Sequence, residues 1–357
     1  MPRPIQATID TQALRHNLLV ARRHAGDAAT WSVIKANAYG HGLIEVAGAL
    51  RESTDGFALL DMADAVELRE AGIRQPILML EGFFAEDELT LFEEYGLTTV
   101  VHCFEQIEML SRVSLPVQLP VYLKINTGMN RLGFRPEDFP NALARLVQIP
   151  HVGDIALMTH FADADGERGV AAALTRFQQL RQGAQLPVSM ANSAALLRFP
   201  EARGDWVRPG IMLYGSSPFP HLKSAADLEL RPVMTLASEI IAVQQLDPGE
   251  CVGYGGLFEA RSPMRVGIVA CGYADGYPRH APTGTPVLVG GQRTGTLGRV
   301  SMDMLAVDLT AMPQARIGTP VVLWGDGLSA DEVARCAETV SYELFCGLAR
   351  RVPTKYV

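Results

Sequence analysis

The sequence is poor in positive charge. Its 31 lysines and arginines face 39 aspartates and glutamates, for a net charge of −8, and no basic run exceeds a pair such as Arg350–Arg351. Without a basic stripe to neutralise phosphates, nucleic acid is excluded as the main partner. Long apolar runs are missing too: none approaches the roughly 20 residues of a membrane span. The opening MPRPIQATIDTQAL lacks the charged-then-apolar build of a secretory signal. Cysteine is scarce and odd in number, with Cys103, Cys251, Cys271, Cys336 and Cys346 forming no CxxC pair. That excludes a disulfide framework and fits reduced thiols in a cytoplasm, each in an apolar context as a small core residue. No metal site is expected. The stretch DADGE (163–167) looks like a calcium loop but lacks the remaining ligands and the closing glutamate. Nor is GYGG a dinucleotide fingerprint, since no βαβ unit surrounds it.

What the chain does have is length and periodicity. Its 357 residues suffice for two domains. From Trp31 to about Tyr214, short apolar runs alternate with amphipathic stretches such as MADAVELREAG, closed by Gly72. The strand candidates are WSVIK (31–35), GFALL (56–60), ILML (77–80), LTTVV (97–101), VYLKI (121–125), DIALMTH (154–160), PVSMA (187–191) and IMLYG (211–215). Eight strands alternating with helices predict a parallel (β/α)8 TIM barrel rather than an open sheet, with TQALRHNLLVARRH as an extra leading helix. After Pro232 the texture changes to β-type runs separated by turns such as DPGE and PTGTP. A C-terminal mostly-β domain is therefore expected. The division falls at residues 1–232 and 233–357. The first helix of the second domain is SADEVARCAETV, where Ser329 and Glu332 stand at capping-box spacing.

In such a barrel the chemistry lies past the C-terminal ends of the strands. The polar residues there are Lys35, Arg131, His160, Asn192–Ser193 and Arg208–Pro209–Gly210. MANSAA offers a hydroxyl at a helix start and RPGIMLYG offers glycine-exposed amides, both suited to an anion. A strand-end lysine beside a phosphate site points to a pyridoxal-phosphate Schiff base. Burial lowers a lysine from about 10.4 toward roughly 7–8 and frees a nucleophilic amine.

The motif VIKANAYGHG closely resembles the cofactor-lysine motif of alanine racemases. The likeness continues through LKINTGMNRLGF, MTHFADAD, ANSAA, WVRPGIMLYG, VGYGG, GYADGYPR, GRVSMDM and SYELFCGLARRVP, in family order over nearly the whole chain. The resemblance implies a fold-type III pyridoxal 5'-phosphate enzyme working on alanine as a head-to-tail homodimer with shared sites. It makes Lys35 the cofactor lysine and one base. Tyr254, supplied by the partner subunit, becomes the second base on the opposite face. Arg208 is implied to face the pyridine nitrogen, with His160 bridging Arg208 and Tyr254. Tyr39, Ser193, Gly210, Ile211 and Tyr342 are implied to hold the phosphate, with Asn192 beside them. Arg131 and the partner's Met302 amide take the substrate carboxylate. Lys124 matches a lysine often carbamylated in the family, although Asn126 stands where many members have aspartate. Tyr273 and Tyr342 resemble a gate favouring a small side chain, and Asp303 belongs to the same support. A broader amino-acid racemase, an amino-acid decarboxylase and a non-catalytic cofactor carrier are the rival readings. The first typically carries an export signal, the second should lack the VGYGG tyrosine, and the third would not need residues 233–357.

Overall fold

The computed structural model describes residues 3–181 and 184–357. The chain forms two compact units. One comprises Arg15–Ala38 and Gly42–Leu213. The other takes the leading segment up to Leu14, Tyr39–His41 and Tyr214–Val357. The first strand, β1 (Gln6–Ile9), thus lies in the second unit. The reason is pairing: β1 is inserted between two strands from the C-terminal part of the chain, as described below.

The barrel closes through β2 (Ala29–Val33), β3 (Gly56–Leu59), β4 (Ile77–Met79), β5 (Leu97–Val101), β6 (Leu119–Lys124), β7 (Val152–Met158), β8 (Val188–Asn192) and β9 (Trp206–Arg208). All neighbours are parallel, and β2 pairs with β9 to complete the ring. Strands such as GFAL and LTTVV are buried along their whole length. Parallel strands covered on both faces need continuous rather than alternating apolar residues. The leading helix forms as expected, over Thr11–Ala25.

Seven of the eight strand candidates coincide with barrel strands, and the last does not. Ile211–Tyr214 is a 3-10 turn, and the eighth strand is Trp206–Arg208. The misplacement has a physical cause. Ile211–Tyr214 is almost fully buried, and a buried turn and a buried strand share one composition. Strand pairing ends beside Pro209, whose missing N–H cannot extend a ladder. Leu213 N–H then closes back on Gly210 O at 2.8 Å.

Inside the barrel Trp31 stacks on Trp206 with centroids 4.3 Å apart, and its Nε1 donates to Tyr122 Oη at 3.0 Å. Room for the indole comes from Gly56, where a Cβ would lie 2.3 Å from a Trp31 ring carbon.

The second unit is built on one mixed sheet. Its long strand is β10 (Met234–Leu246), and the hairpin β11 (Cys251–Val252) and β12 (Phe258–Glu259) stands apart from it. The remaining strands are β13 (Met264–Val269), β14 (Pro286–Val289), β15 (Gln292–Leu297), β16 (Leu305–Asp308), β17 (Pro320–Trp324) and β18 (Thr354–Tyr356). They run in the order β13-β16-β15-β14-β17-β10-β1-β18, with β13 also paired to β10. β1 lies antiparallel to β10 and parallel to β18, so the two ends of the chain meet in one sheet. At the helix Ala330–Cys336, Ser329 caps through the Asp331 N–H, one residue short of the position a capping box uses. Glu332 pairs with Arg293.

Gly56→Ala should overpack the barrel interior. Urea unfolding is expected to show a loss of about 1–3 kcal/mol, with a changed tryptophan emission spectrum as Trp31 is displaced.

Candidate active site

Lys35 opens a helical turn, Lys35–Gly40, directly after β2. The turn is left-handed. Ala36, Asn37, Ala38 and Tyr39 have φ between +51° and +54°, and Gly40 has +77°. For residues bearing a Cβ this costs roughly 1–2 kcal/mol each, because Cβ crowds the following carbonyl. The compensation is local and visible. Ala38 N–H donates to Ile34 O, Gly42 N–H to Asn37 O, and Leu43 N–H to Asn37 Oδ1, which starts the next helix. At the far end Gly40 packs so closely that a Cβ would lie 2.0 Å from Phe345 O. Tyr39 stacks on Tyr214 at 4.6 Å and tilts against Tyr342 at 5.9 Å. Burial pushes the Tyr39 hydroxyl well above its usual range, with the Cys346 thiol adding to the shift. It therefore stays protonated and can donate.

The other strand ends of the barrel supply a cluster of cations. Arg208, at the end of β9, is buried. Its Nη1 donates to Ser189 Oγ at 2.6 Å, and its Nη2 faces Thr159 O at 2.6 Å, Met190 O at 3.1 Å and His160 Nδ1 at 3.3 Å. Burial lowers it to about 10, so it remains a cation at neutral pH. A guanidinium only donates, so His160 Nδ1 must accept and its proton sits on Nε2. Burial, followed by the charges of Arg208, Arg131, Lys124 and Lys35, holds His160 well below its usual value and neutral.

Lys124, at the end of β6, is 8% exposed. Burial takes it down to about 8, helped by Arg208, Arg131 and Lys35 and opposed by Glu81. Arg131 returns to this mouth because its loop is closed. Asn126 N–H donates to Phe134 O and Phe134 N–H to Lys124 O, both at 2.9 Å. Lys124, Arg131 and His160 line one small cleft with Asn126. Asn126 is engaged within its own loop: Oδ1 accepts from Gly128 and Asn130 N–H, and Nδ2 donates to Asn130 Oδ1. An aspartate there would lose that last bond.

An anion cradle stands at the ends of β8 and β9. Asn192 caps the helix Ser193–Arg198 through Ala195 N–H. Ser193 Oγ accepts from Gly210 N–H at 2.9 Å and Met212 N–H at 3.4 Å, which leaves its own proton to donate. Gly210, Ile211 and Ser193 are thus brought together.

The remaining site residues lie on the second unit. Tyr254 is 72% exposed, on a 3-10 turn in the β11–β12 hairpin between Gly253 (φ +68°) and Gly255 (φ +76°). Met302 and Tyr273 are exposed as well. Met302 O accepts from Ala274 N–H. Asp303 accepts from Arg3 through its carbonyl and from Arg351 through its carboxylate.

Two supporting groups escape a reading by motif. Ser189 is a hydroxyl within a buried apolar strand, which is itself a signal. Glu81 follows β4 by the same strand-end rule that picks out Lys35, and it counters the cations around Lys124.

A closed parallel barrel whose mouth holds a strand-end lysine, a neutral histidine and a buried arginine is that of an enzyme working on a small anionic cofactor or substrate. Comparison with known proteins narrows the class. Residues 9–218 match the model of the alanine racemase N-terminal domain, and 233–356 that of its C-terminal domain. The chain is 58% identical to an alanine racemase of Nitrosospira multiformis and 55% identical to a catabolic alanine racemase of Klebsiella aerogenes, over 99% of each chain. The crystal structure of the biosynthetic alanine racemase from Pseudomonas aeruginosa superposes with a TM-score of 0.97 at 48% identity, covering 99% of both chains. The chain belongs to the alanine racemase family.

Lys124 generates a pH test with a definite sign. Its folded value of about 8 lies below its ordinary 10.5, so between those values the unfolded chain binds more protons and stability rises with pH. In buffer free of carbon dioxide, Lys124→Met should be more stable than the parent at pH 7, by up to about 3 kcal/mol. The advantage should close from pH 8 to 10.5 in urea titrations.

Proposed function

We propose that the chain interconverts L-alanine and D-alanine with pyridoxal 5'-phosphate, using Lys35 and Tyr254 as proton-transfer groups on opposite faces of the substrate. The observation that carries this reading is the match to both domains of one enzyme family over nearly the whole chain. The residues present fit the cofactor. Arg208 spends its Nη2 and one Nη1 proton on protein acceptors, which leaves the Nε–H for an acceptor such as a pyridine nitrogen. Ser193, Gly210, Ile211, Tyr39 and Tyr342 supply hydroxyl and amide donors suited to a phosphate, with little positive charge invested. When bound, the cofactor provides the conjugated system that acidifies the substrate Cα–H.

The chain's own groups do the rest. Lys35 holds the cofactor and exchanges a proton at Cα from one side. Tyr254 does so from the other, because a single base would return most protons to the face they left. Arg208 cannot release a proton near neutral pH, so the nitrogen it faces only accepts a hydrogen bond. That limits charge build-up on the ring and disfavours transamination. His160, protonated on Nε2, has a donor to offer Tyr254 in this reading. Arg131 suits the substrate carboxylate by the geometry of its guanidinium, together with the Met302 N–H, which donates to no described residue. Lys124, partly neutral near pH 8, is a nucleophile for carbon dioxide. Its carbamate would place a negative charge among cations and orient Arg131. Carbamylation of the Lys124 ammonium by bicarbonate releases a proton, so stability still rises with pH, but in bicarbonate buffer the Lys124→Met advantage near pH 8 should shrink as bicarbonate is raised.

A homodimer with shared sites follows from the same reading. Tyr254, Leu257, Met302 and Tyr273 form part of an exposed apolar set on the second unit that a second copy would cover. Cys271 is buried but Cys251 and Cys346 are exposed, so the cysteines are not all core residues; the absence of a disulfide among the described residues suits a reducing cytoplasm.

Incubated with L-alanine, the yellow holoenzyme should yield D-alanine by chiral chromatography, and Lys35→Ala should lower the rate by at least about 1000-fold. Absence of D-alanine overturns the proposal. Lys35→Ala and Tyr254→Phe chains, each nearly inactive alone, should recover up to about a quarter of parental activity after mixing, since half of the dimers are hybrids with one intact site out of two. An active monomer in sedimentation, with no recovery in any mixture, removes the shared site.

A further inference from the structure

The second unit holds a charged cluster that the reaction above does not use. Asp275 is completely buried, and each of its carboxylate oxygens accepts twice. Oδ1 takes Arg3 Nη1 at 2.7 Å and Arg351 Nε at 2.8 Å. Oδ2 takes Arg3 Nη2 at 2.9 Å and Gly272 N–H at 2.9 Å. The same two arginines continue to Asp303, Arg3 Nη2 reaching its carbonyl at 2.8 Å and Arg351 Nη2 its carboxylate at 2.6 Å. Two cations and two anions therefore balance in one cluster. Burial raises the Asp275 carboxyl, but the hydrogen bonds from Arg3, Arg351 and Gly272 outweigh it and hold the group ionised.

What the cluster ties together is specific. Asp275 ends the 3-10 turn Tyr273–Asp275, and Asp303 follows Met302 directly. The two backbones are locked in register. Tyr273 N–H donates to Ser301 O and Ala274 N–H to Met302 O, each at 3.0 Å. At Gly272 a Cβ would lie 2.3 Å from the carbonyl oxygens of both Ser301 and Met302, so the turn is pressed onto that loop. From the other side Ala349 N–H donates to Asp275 O.

We infer that Asp275, clamped between Arg3 and Arg351, is a positioning residue that fixes the Tyr273 ring and the Met302 amide relative to each other, and so sets substrate size selection and carboxylate binding. This rests on the reading of Tyr273 as gate and Met302 as carboxylate contact. Arg3 and Arg351 come from opposite ends of the chain, yet they act on the one turn. Their bidentate and bridging bonds require the guanidinium fork, which a lysine lacks.

The holoenzyme variants Arg3→Ala, Arg3→Lys, Asp275→Asn and Tyr273→Ala test this, with kcat and KM measured for L-alanine and L-serine. Arg3→Ala should raise KM for L-alanine by about fivefold to tenfold with kcat within about twofold. The alanine-over-serine preference should fall at least about threefold in the same variant. Arg3→Lys should recover only part of both changes. Asp275→Asn should show the same pattern more strongly. If it does not fold, the Arg3 pair decides. A Tyr273→Ala enzyme whose preference is altered while Arg3→Ala matches the parent overturns the positioning role alone. A Tyr273→Ala enzyme with unaltered preference overturns the gate reading, and the inference with it.

Discussion

The constraint on which the barrel mouth depends is the burial of one cation. Arg208 sits among Ser189, Thr159, Met190 and His160, with no carboxylate among its hydrogen-bond partners in the described residues. A charge held by dipoles alone in a dry site acts at a distance, because little solvent screens it. Its field is felt by Lys124 and by His160, both driven toward their neutral forms. Burial is the larger cause of both shifts, and the one guanidinium adds to each and fixes the histidine tautomer. Its placement in turn needs β7, β8 and β9 at fixed heights, since their backbone carbonyls and the Ser189 hydroxyl are its acceptors.

Much of the architecture is legible in the sequence because one rule governs it. Parallel strands buried on both faces appear as short apolar runs, and the residue past each run points to the mouth. Lys35 and His160 are found this way, whereas Lys124 is singled out only by the family resemblance. The rule fails where burial and strand formation part company. Ile211–Tyr214 is as apolar as a strand but turns into a 3-10 helix, and the true strand Trp206–Arg208 is too short to stand out. It fails again for β1 and β18, whose pairing joins residues nearly the whole chain apart. No local pattern encodes such a contact. The Arg3–Asp275–Arg351 cluster is hidden for the same reason.

Both groups assigned to proton transfer are displayed on backbone in the left-handed region, by two different means. Around Tyr254 the positive φ angles fall on Gly253, Gly255 and Gly256, which adopt them without a Cβ penalty. Around Lys35 they fall on Ala36, Asn37, Ala38 and Tyr39, which do not. A tyrosine exposed on a hairpin needs only freedom to reach outward. A lysine followed four residues on by the tyrosine proposed to hold a phosphate needs both side chains fixed, and under that proposal the side chain of Tyr39 cannot be dispensed with.

The left-handed turn also bears on when the site comes into being as the chain folds. A ten-residue segment with this sequence has no preference for that hand, so the turn cannot nucleate by itself. Its local hydrogen bonds are joined by contacts distant in sequence: Phe345 against Gly40 and Tyr214 against Tyr39 are contributed by residues roughly 175 to 305 positions later. Contacts of such separation form late. The geometry at Lys35 is therefore among the last features acquired and, under heat or denaturant, among the first released. Catalytic competence then reports the completed fold, not the barrel alone.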